Sequence, residues 1–227
     1  MSLLYILYII EFSRTLVSFV CARNALHLNA NIPVLFRSYQ SHETHSGCKI
    51  WEAARATSAA PTFFKSIEIG NKQPFIDGGL GCNNPSMLVL KEAQVVFPAQ
   101  PIGCLVSIGT GQAEVISMKT SGFFQHIVPT DVIDALKAIV IDCEATHEHM
   151  LFLFANSPSI YFRINVEQGM QGIRLSEWEK MANVEAHTMQ YLRTKAVDDK
   201  FTSMINAIRS PKAQLVTEQL GMKKFNV

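Results

Sequence analysis

The sequence predicts an α/β fold with a mainly parallel sheet and a helical C-terminal region. Short apolar runs alternate with helical patterns through the first two thirds of the chain, and this alternation favours a layered α/β arrangement. The run Ile102–Ile108 is almost continuously apolar, which is typical of a parallel strand covered on both faces. In Glu177–Arg209, apolar residues recur every three to five positions, as in an amphipathic helix pair.

Composition supports a core-rich globular protein. The chain has 227 residues, of which 48% are hydrophobic and 17% are charged, whereas about 25% is usual for charged residues. A chain of this length buries enough apolar surface to fold without a disulfide or a metal. The net charge of +1 gives no reason to expect nucleic acid as a partner.

The elements follow from apolar runs and from helix start and stop signals. The predicted strands are Leu16–Cys21, Val34–Tyr39, Ile67–Ile69, Phe75–Ile76 and Ile102–Ile108. The predicted helices are Ile50–Ala60, Pro85–Phe97, Asp131–Ala155 and the pair within Glu177–Arg209. Pro61 stops the first of these helices, and Asn84 is a candidate cap for the second.

The N-terminal run Leu3–Ile10 is strongly apolar, but Glu11 and Arg14 interrupt it well before the roughly 20 residues of a membrane span. It also lacks the features of a signal peptide. Three interpretations stay open: a buried strand or helix, a short membrane anchor, or a start that is not the natural start of a domain.

The cysteines predict reduced thiols in a cytoplasmic protein. They are odd in number, widely spaced and without a C-x-x-C pair, at positions Cys21, Cys48, Cys82, Cys104 and Cys143. The spacing of His147 and His149 places them on different faces of a helix, and His42 and His45 have no evident third ligand. We therefore predict neither a metal nor another cofactor.

The loop after Phe75–Ile76 carries the candidate chemistry. Asp77 ends a strand and is followed by Gly78 and Gly79, which permit a positive φ and the close approach of a backbone or ligand. A carboxylate fixed at the mouth of a site can act as a general base, although Asp-Gly is also a common turn dipeptide. Asn83 and Asn84 are expected to satisfy loop backbone groups and cap the next helix.

An ordered series of motifs surrounds Asp77. Ala56-Thr57-Ser58-Ala59-Ala60-Pro61 is followed by Phe75-Ile76-Asp77-Gly78-Gly79, then by Asn83-Asn84-Pro85, and finally by Val106-Ser107-Ile108-Gly109-Thr110-Gly111. The series resembles the second half of the patatin-like phospholipase domain. The resemblance is closest to the fungal branch, in which Val34–Tyr39 also has a counterpart, and it covers about residues 16–112.

The resemblance implies a patatin-like three-layer α/β/α fold with its N-terminal strands missing, and hydrolysis of acyl ester bonds in lipids. The family uses a Ser-Asp dyad without His, and its D-G-G/A aspartate falls on Asp77, which would be the general base. The implied partner is an acyl lipid or phospholipid substrate, and the implied location is cytoplasmic or peripheral at a membrane surface. The domain division expected on this basis is an atypical apolar N-terminus over 1–15, a partial patatin-like domain over 16–160, and a mainly helical C-terminal extension over 161–227.

The chain departs from the family where the nucleophile should be. It contains neither the G-x-S-x-G elbow nor the glycine-rich G-G-x-R/K-G segment that forms the oxyanion hole. Ser107 and Ser58 lack the elbow spacing, so structural roles are expected for both. We therefore expect a C-terminal part of the domain that is inactive alone. The alternative is a non-catalytic remnant or lipid-binding module.

The sequence also suggests roles for a glycine motif and for one arginine. Gly109-Thr110-Gly111 lacks the third glycine of a dinucleotide fingerprint and is expected to allow tight packing near the site loop. Arg37 either faces the site or pairs with an acidic residue.

Overall fold

The computed structural model describes residues 19–24, 33–39, 48–60, 63–112, 143–171, 173, 177–210 and 215–216. The strands are β1 (Phe19–Asn24), β2 (Val34–Arg37), β3 (Ile67–Ile69), β4 (Gln73–Asp77), β5 (Leu105–Ile108) and β6 (Tyr161–Ile164). The helices are α1 (Ile50–Thr57), α2 (Gly79–Cys82), α3 (Ser86–Val96), α4 (143–153), α5 (Met181–Leu192) and α6 (Lys195–Arg209). A short 3₁₀ helix, Trp178–Lys180, precedes α5.

The described strands form two sheets. Four of them lie in the order β2-β1-β4-β3 with every neighbouring pair antiparallel, and β5 pairs with β6 in parallel. The prediction of a mainly parallel sheet is therefore wrong for the described strands. The residues Gly70 to Lys72 join β3 to β4, and so short a connection permits only an antiparallel hairpin. Gly70 has a φ of +62° and Lys72 a φ of +57°, which turn the chain within these three residues.

A first core lies between α1 and the four-stranded sheet. It consists of buried apolar side chains from three strands and the helix: Phe36, Ala56, Ile69 and Phe75. The rings of Phe36 and Phe75 meet edge to face, with centroids 5.2 Å apart and planes at 68°. This core holds α1 against the strand that ends at Asp77.

A second core fills one face of the β5–β6 pair. Buried side chains of α3 and α4 pack there against the two strands, and the cluster consists of Val89, Leu90, Ala93, Ile102, Leu105, Met150, Phe154, Ile160 and Tyr161. The register pairs Leu105 with Tyr161 and Ser107 with Arg163. Because side chains alternate along a strand, the other face carries Val106, Ile108 and Ile164, which border a cavity beside α5 and α6. Helices therefore lie against both faces of this pair, while the three-layer architecture of the whole domain stays a prediction.

Most predicted elements are present with shifted ends. The helix pair within Glu177–Arg209 is confirmed, and 143–153 is helical as expected for part of Asp131–Ala155. Strand β6 was not predicted, and it lies in the region 161–227 that was expected to be mainly helical. Since β6 pairs with β5, a sheet contact joins the two sides of the expected boundary at 160, and the domain division itself stays a prediction.

Two expectations concern membranes and the N-terminus. The run Leu3–Ile10 and the expected segment 1–15 lie outside the described residues. Within the part of the chain that the structure does describe, none of the helices is both long enough and apolar enough to span a bilayer.

Candidate active site

Asp77 is the last residue of β4 and is buried, with 3% of its surface exposed. The backbone N–H of Gly79 donates to Asp77 Oδ1 at 2.6 Å, so the carboxylate is held over the first turn of α2. A carboxylate that accepts a hydrogen bond from the start of a helix has its orientation fixed by backbone rather than by a mobile side chain. The side chain therefore has the rigid placement at a strand end that was expected.

The glycines after Asp77 do not adopt the conformation that we expected of them. Gly78 has φ −70° and ψ −11°, a helical conformation open to any residue, and it leads directly into α2. A positive φ is therefore not the reason for glycine at Gly78. The residues Gly79–Cys82 form a short helix where the sequence indicated only a loop.

The strand end is tied to the segment after α1. The N–H of Asp77 donates to the carbonyl of Ala59 at 3.1 Å, and β1 pairs with β4 so that Ala22 lies opposite Asp77. Two motifs that are separated in sequence, Ala56–Ala60 and Asp77–Gly79, are thus in direct contact. The structure brings together the parts of the motif series on which the resemblance rests.

Asn84 is buried and links the loop to three elements. Its Oδ1 accepts from the N–H of Ser86 at 3.4 Å and from the Ser86 hydroxyl at 2.6 Å, at the start of α3. The Ser107 hydroxyl on β5 donates to the same oxygen at 3.5 Å, and Asn84 Nδ2 donates to the carbonyl of Cys143 on α4 at 3.2 Å. Asn84 thus accepts from a backbone N–H at the start of α3, but the N-cap position of that helix is Pro85, and the contacts of Asn84 extend to β5 and α4. Asn83 is half-buried and ends α2.

Arg163 is a buried charged residue that sequence reasoning missed. Its Nη1 donates to Ser107 Oγ at 2.7 Å and its Nη2 to Cys143 Sγ at 3.1 Å. The guanidinium thereby joins β6 to β5 and α4, and Ser107 passes the contact on to Asn84. A lone arginine inside the apolar run Tyr161–Ile164 is the signal that could have identified it, because an unpaired charge is rarely buried.

Neither candidate serine is placed as a nucleophile. Ser107 is fully buried and its hydroxyl lies between Arg163 and Asn84. The hydroxyl of Ser58 donates to the carbonyl of Ala54 at 2.8 Å within its own helix. Both hydroxyls are engaged in hydrogen bonds within the fold, and the expectation that neither serine is the nucleophile stays a prediction.

Arg37 pairs with an acid. Its Nη2 donates to Glu92 Oε2 on α3 at 3.1 Å, its Nε donates to Oε1, and the hydroxyl of Tyr39 donates to Oε1 as well. The hydrogen bond that Arg37 donates to Glu92 raises the pKa of Arg37. Burial, and after it the hydrogen bond to Glu92, raises the pKa of Tyr39. Of the two alternatives, the ion pair is the one found, and it connects β2 to α3.

The glycine loop after β5 packs tightly, but against β6 and the segment after it, while the expected packing near the loop of Asp77 stays a prediction. A Cβ on Gly109 would lie 2.2 Å from Asn165 Oδ1, far inside the contact distance. Gly111 has a φ of +112°, and its N–H donates to Asn165 Oδ1 at 2.8 Å. Residues with side chains fit neither position, so both glycines are required by the close approach of β5 and the segment after β6.

The histidines of α4 face different surroundings. His147 is half-buried and its Nδ1 lies 3.0 Å from the hydroxyl of Tyr161, whereas His149 is exposed. Within the described ranges, no group of three or more His, Cys, Asp or Glu side chains is arranged to hold a metal ion. Cys48 and Cys104 are free thiols.

Comparison with known proteins identifies relatives over most of the chain. Residues 16–90 match the model of the family described as Patatin-like phospholipase. Calcium-independent phospholipase A2-gamma of Rattus norvegicus is 33% identical over 174 residues, which is 74% of this chain and 21% of the relative. The Homo sapiens protein of that name is 30% identical over 182 residues, which is 78% of this chain and 22% of the relative.

A plant relative matches as well. Phospholipase A I of Arabidopsis thaliana is 31% identical over 142 residues, which is 61% of this chain and 10% of the relative. No solved structure matches the chain significantly. The chain spans about a fifth of the length of the mammalian relatives, and the closer resemblance to the fungal branch stays a prediction. On the family match and these relatives, the chain belongs to the patatin-like phospholipase family.

Proposed function

We propose that this chain is the aspartate-bearing part of a lipid acyl hydrolase that uses a Ser-Asp dyad, with Asp77 as the general base. The observation that carries the proposal is the buried carboxylate of Asp77, which ends β4 and is oriented by the N–H of Gly79. The relatives are named phospholipases, and an acyl lipid or phospholipid is the substrate that we propose for this chain.

The proposed chemistry requires a serine hydroxyl in a G-x-S-x-G elbow, and these 227 residues contain no such elbow. In the proposed reaction, a serine Oγ attacks the ester carbonyl carbon while its proton passes to a carboxylate oxygen of Asp77. The alcohol part of the lipid leaves, and water then releases the fatty acid from the acyl-serine. Since G-x-S-x-G is absent from the sequence, we propose that the serine and the oxyanion donors come from residues outside these 227.

The proposal predicts that the chain alone does not turn over esters. In an assay with a short-chain p-nitrophenyl ester, the wild-type chain and Asp77→Asn should both give the background rate. Turnover by the chain alone that survives Asp77→Asn would contradict the proposed role.

A chimera tests the base directly. Residues 16–112 would replace the matching segment of the human calcium-independent phospholipase A2-gamma, which supplies the rest of the domain. We expect Asp77→Asn in this chimera to lower turnover by about 10²–10⁴-fold, the usual contribution of a general base. Glu68→Gln, at an exposed acid on β3, is the matched control and should change turnover less than about twofold. Equal activity of the two variants would refute Asp77 as the base.

The second candidate function is a non-catalytic lipid-binding module. The absence of the serine elbow favours it, because a family member without a nucleophile can retain only binding. Saturable binding of fatty acid by the chain, together with an inactive chimera, would favour the module over the hydrolase.

We also propose a cytoplasmic location with contact to membrane surfaces. The free thiols of Cys48 and Cys104 support a reducing compartment. Fractionation of cells that express the chain tests this proposal, and recovery in a secreted or luminal fraction would contradict it.

A further inference from the structure

Two cavities of different character adjoin at the end of β6. The first has a volume of about 370 Å³ and lies between the β5–β6 pair and the helices α5 and α6. Its wall is apolar over most of its area and is formed chiefly by Val106, Ile164, Val184, Leu192, Phe201 and Met204. The cavity is partly open to solvent, so an alkyl chain can enter it and remove its apolar wall from water.

The second cavity has a volume of about 720 Å³, and because charged side chains line it together with apolar ones we call it the polar cavity. It lies along β6 between α4 and α6, and the charged side chains that line it are Glu144, Glu148, Glu167, Asp199, Arg163 and Lys200. Asn165 lines both cavities, and the neighbouring residues Lys200 and Phe201 of α6 line the polar and the apolar cavity respectively. The two cavities therefore lie next to each other at Asn165, just after β6, while Asp77 lines neither of them.

The polar cavity contains charges of both signs. Burial and the charge of Arg163 lower the pKa of His147, so this ring is neutral at pH 7 and adds no positive charge. Lys200 Nζ donates to the carbonyl of Arg163 at 3.3 Å, which places its ammonium group beside β6. Asp199 is paired with Lys195, so the carboxylates that would repel a purely anionic headgroup are Glu144, Glu148 and Glu167, whereas a headgroup with both charges can be matched at each end.

Size restricts the occupant of the apolar cavity. Its volume is more than twice that of the apolar cavity of ~150 Å³ that takes up benzene, and it lies at the lower end of the ~300–1,000 Å³ found for ligand pockets. One alkyl chain fits such a space better than the two chains of a membrane phospholipid.

We infer that the two cavities together bind a single-chain zwitterionic phospholipid, with its alkyl chain among α5, α6 and the strand pair and its headgroup against α4 and Lys200. The choice of a phosphate-containing headgroup rests on the proposed function, since such a lipid is what remains when one acyl chain of a phospholipid is removed. The uptake of an alkyl chain does not depend on that function.

Direct binding of a defined lipid tests the inference. The full chain would be titrated calorimetrically with lysophosphatidylcholine that carries a 12-carbon tail, below the concentration at which it forms micelles. We expect saturable binding of one molecule per chain, and shortening the tail by two carbons should weaken the affinity by about tenfold. Affinity that does not depend on tail length would overturn the inference.

A pair of matched variants locates the tail. Met204→Trp fills the apolar cavity and should weaken binding by at least about tenfold, whereas Met189→Trp places the same ring on the exposed side of α5 and should not. Circular dichroism shows whether Met204→Trp is folded. If it is not, Val184→Phe fills the cavity from α5 and is used in its place. Unchanged affinity in the folded filling variant would refute the assigned cavity.

Headgroup analogues test the second half of the site. Lipids with the same tail would carry a phosphate alone, a trimethylammonium alone, or a carboxylate. We expect each to bind more weakly than the zwitterion by about tenfold or more, because one set of charges is left unmatched. Equal or tighter binding of any of the three would overturn the headgroup assignment. Because no turnover is measured, the result is independent of whether Asp77 acts as a base.

Discussion

At the scale of single residues, the contacts around Asp77 and Asn84 explain the motif series. Asp77 is held by the N–H of Gly79 and by the strand end that bonds to Ala59, while Asn84 bonds to residues of α3, β5 and α4. The local roles of these two residues could be predicted from the sequence, because aspartate before glycine is typical of turns and asparagine before a helix is typical of caps. The contacts with β5 and α4 were not readable, since they join residues 23 and 59 positions apart.

Replacement of Asn84 tests its role as a junction. Asn84→Ala removes hydrogen bonds from a buried side chain, and we expect the free energy of unfolding to fall by about 2–3 kcal/mol. Urea denaturation monitored by circular dichroism measures this change. The matched control is Asn156→Ala, at an exposed turn position, which should stay within about 0.5 kcal/mol of wild type. Equal effects of the two variants would show that the hydrogen bonds of Asn84 contribute no more to stability than those of an exposed turn residue.

Replacement of Gly109 tests the close packing of the loop after β5. A Cβ there would lie 2.2 Å from Asn165 Oδ1, so Gly109→Ala should force a backbone or side-chain shift that costs about 1–3 kcal/mol. The melting temperature reports the loss. Thr110→Ala, at the next and exposed position, serves as control and should leave the melting temperature nearly unchanged. A Gly109→Ala protein as stable as the control would contradict the packing described here.

At the scale of elements, the sequence located strands better than it oriented them. Ile67–Ile69 is predicted and observed with the same ends, yet all pairings of the four-stranded sheet are antiparallel. Apolar periodicity depends on which face is buried and carries no information on strand direction. Strand β6 was missed for a related reason, because four residues interrupted by Arg163 give no clear pattern until β5 lies beside them.

The link between β5 and β6 can be broken at Arg163. Arg163→Met keeps the length of the side chain and removes the donors to Ser107 and Cys143, so we expect a loss of about 2–4 kcal/mol of unfolding free energy. Arg193→Met, at an exposed arginine after α5, is the matched control and should change stability by less than about 0.5 kcal/mol. Denaturant titration of both proteins measures the difference. If Arg163→Met loses no more unfolding free energy than Arg193→Met, the buried guanidinium contributes little to the pairing of β5 and β6.

At the scale of the whole molecule, the described residues form two sheets, each stabilised by a core. The first lies between α1 and the antiparallel sheet, and the second lies between the β5–β6 pair and helices α3 and α4. The ion pair of Arg37 with Glu92 and the contacts of Asn84 connect elements of both regions. The apolar cavity beside α5 and α6 shows that this face of the β5–β6 pair is less completely filled than the face that packs against the second core.

The stability of the molecule should depend on pH through His147. Burial and the charge of Arg163 lower the pKa of this histidine in the folded protein. The unfolded chain therefore takes up a proton first, near the ordinary histidine pKa of about 6.5. The contribution of neutral His147 to the free energy of unfolding is therefore complete above that pH. It is lost as the pH falls through the lower pKa that His147 has in the folded protein.

The comparison of two variants isolates this contribution from that of the carboxylates. His147→Gln should lose less stability between pH 7 and pH 5 than wild type, while the exposed His149→Gln should follow the wild-type curve. Urea titrations at both pH values measure the slopes. If wild type and His147→Gln lose stability in parallel, His147 is not the group responsible.

The sequence by itself determined the family, most helices and strands, the candidate base Asp77 and the absence of a serine elbow. These are properties of local pattern and of ordered motifs, which do not require knowledge of distant contacts. Only the tertiary structure decided the direction of the strands, the existence of β6, the pairing of Arg37 with Glu92 and the burial of Arg163. The physical reason is that each of these depends on which distant residue completes a backbone ladder or neutralises a buried charge, and a single local stretch of sequence does not contain its partner.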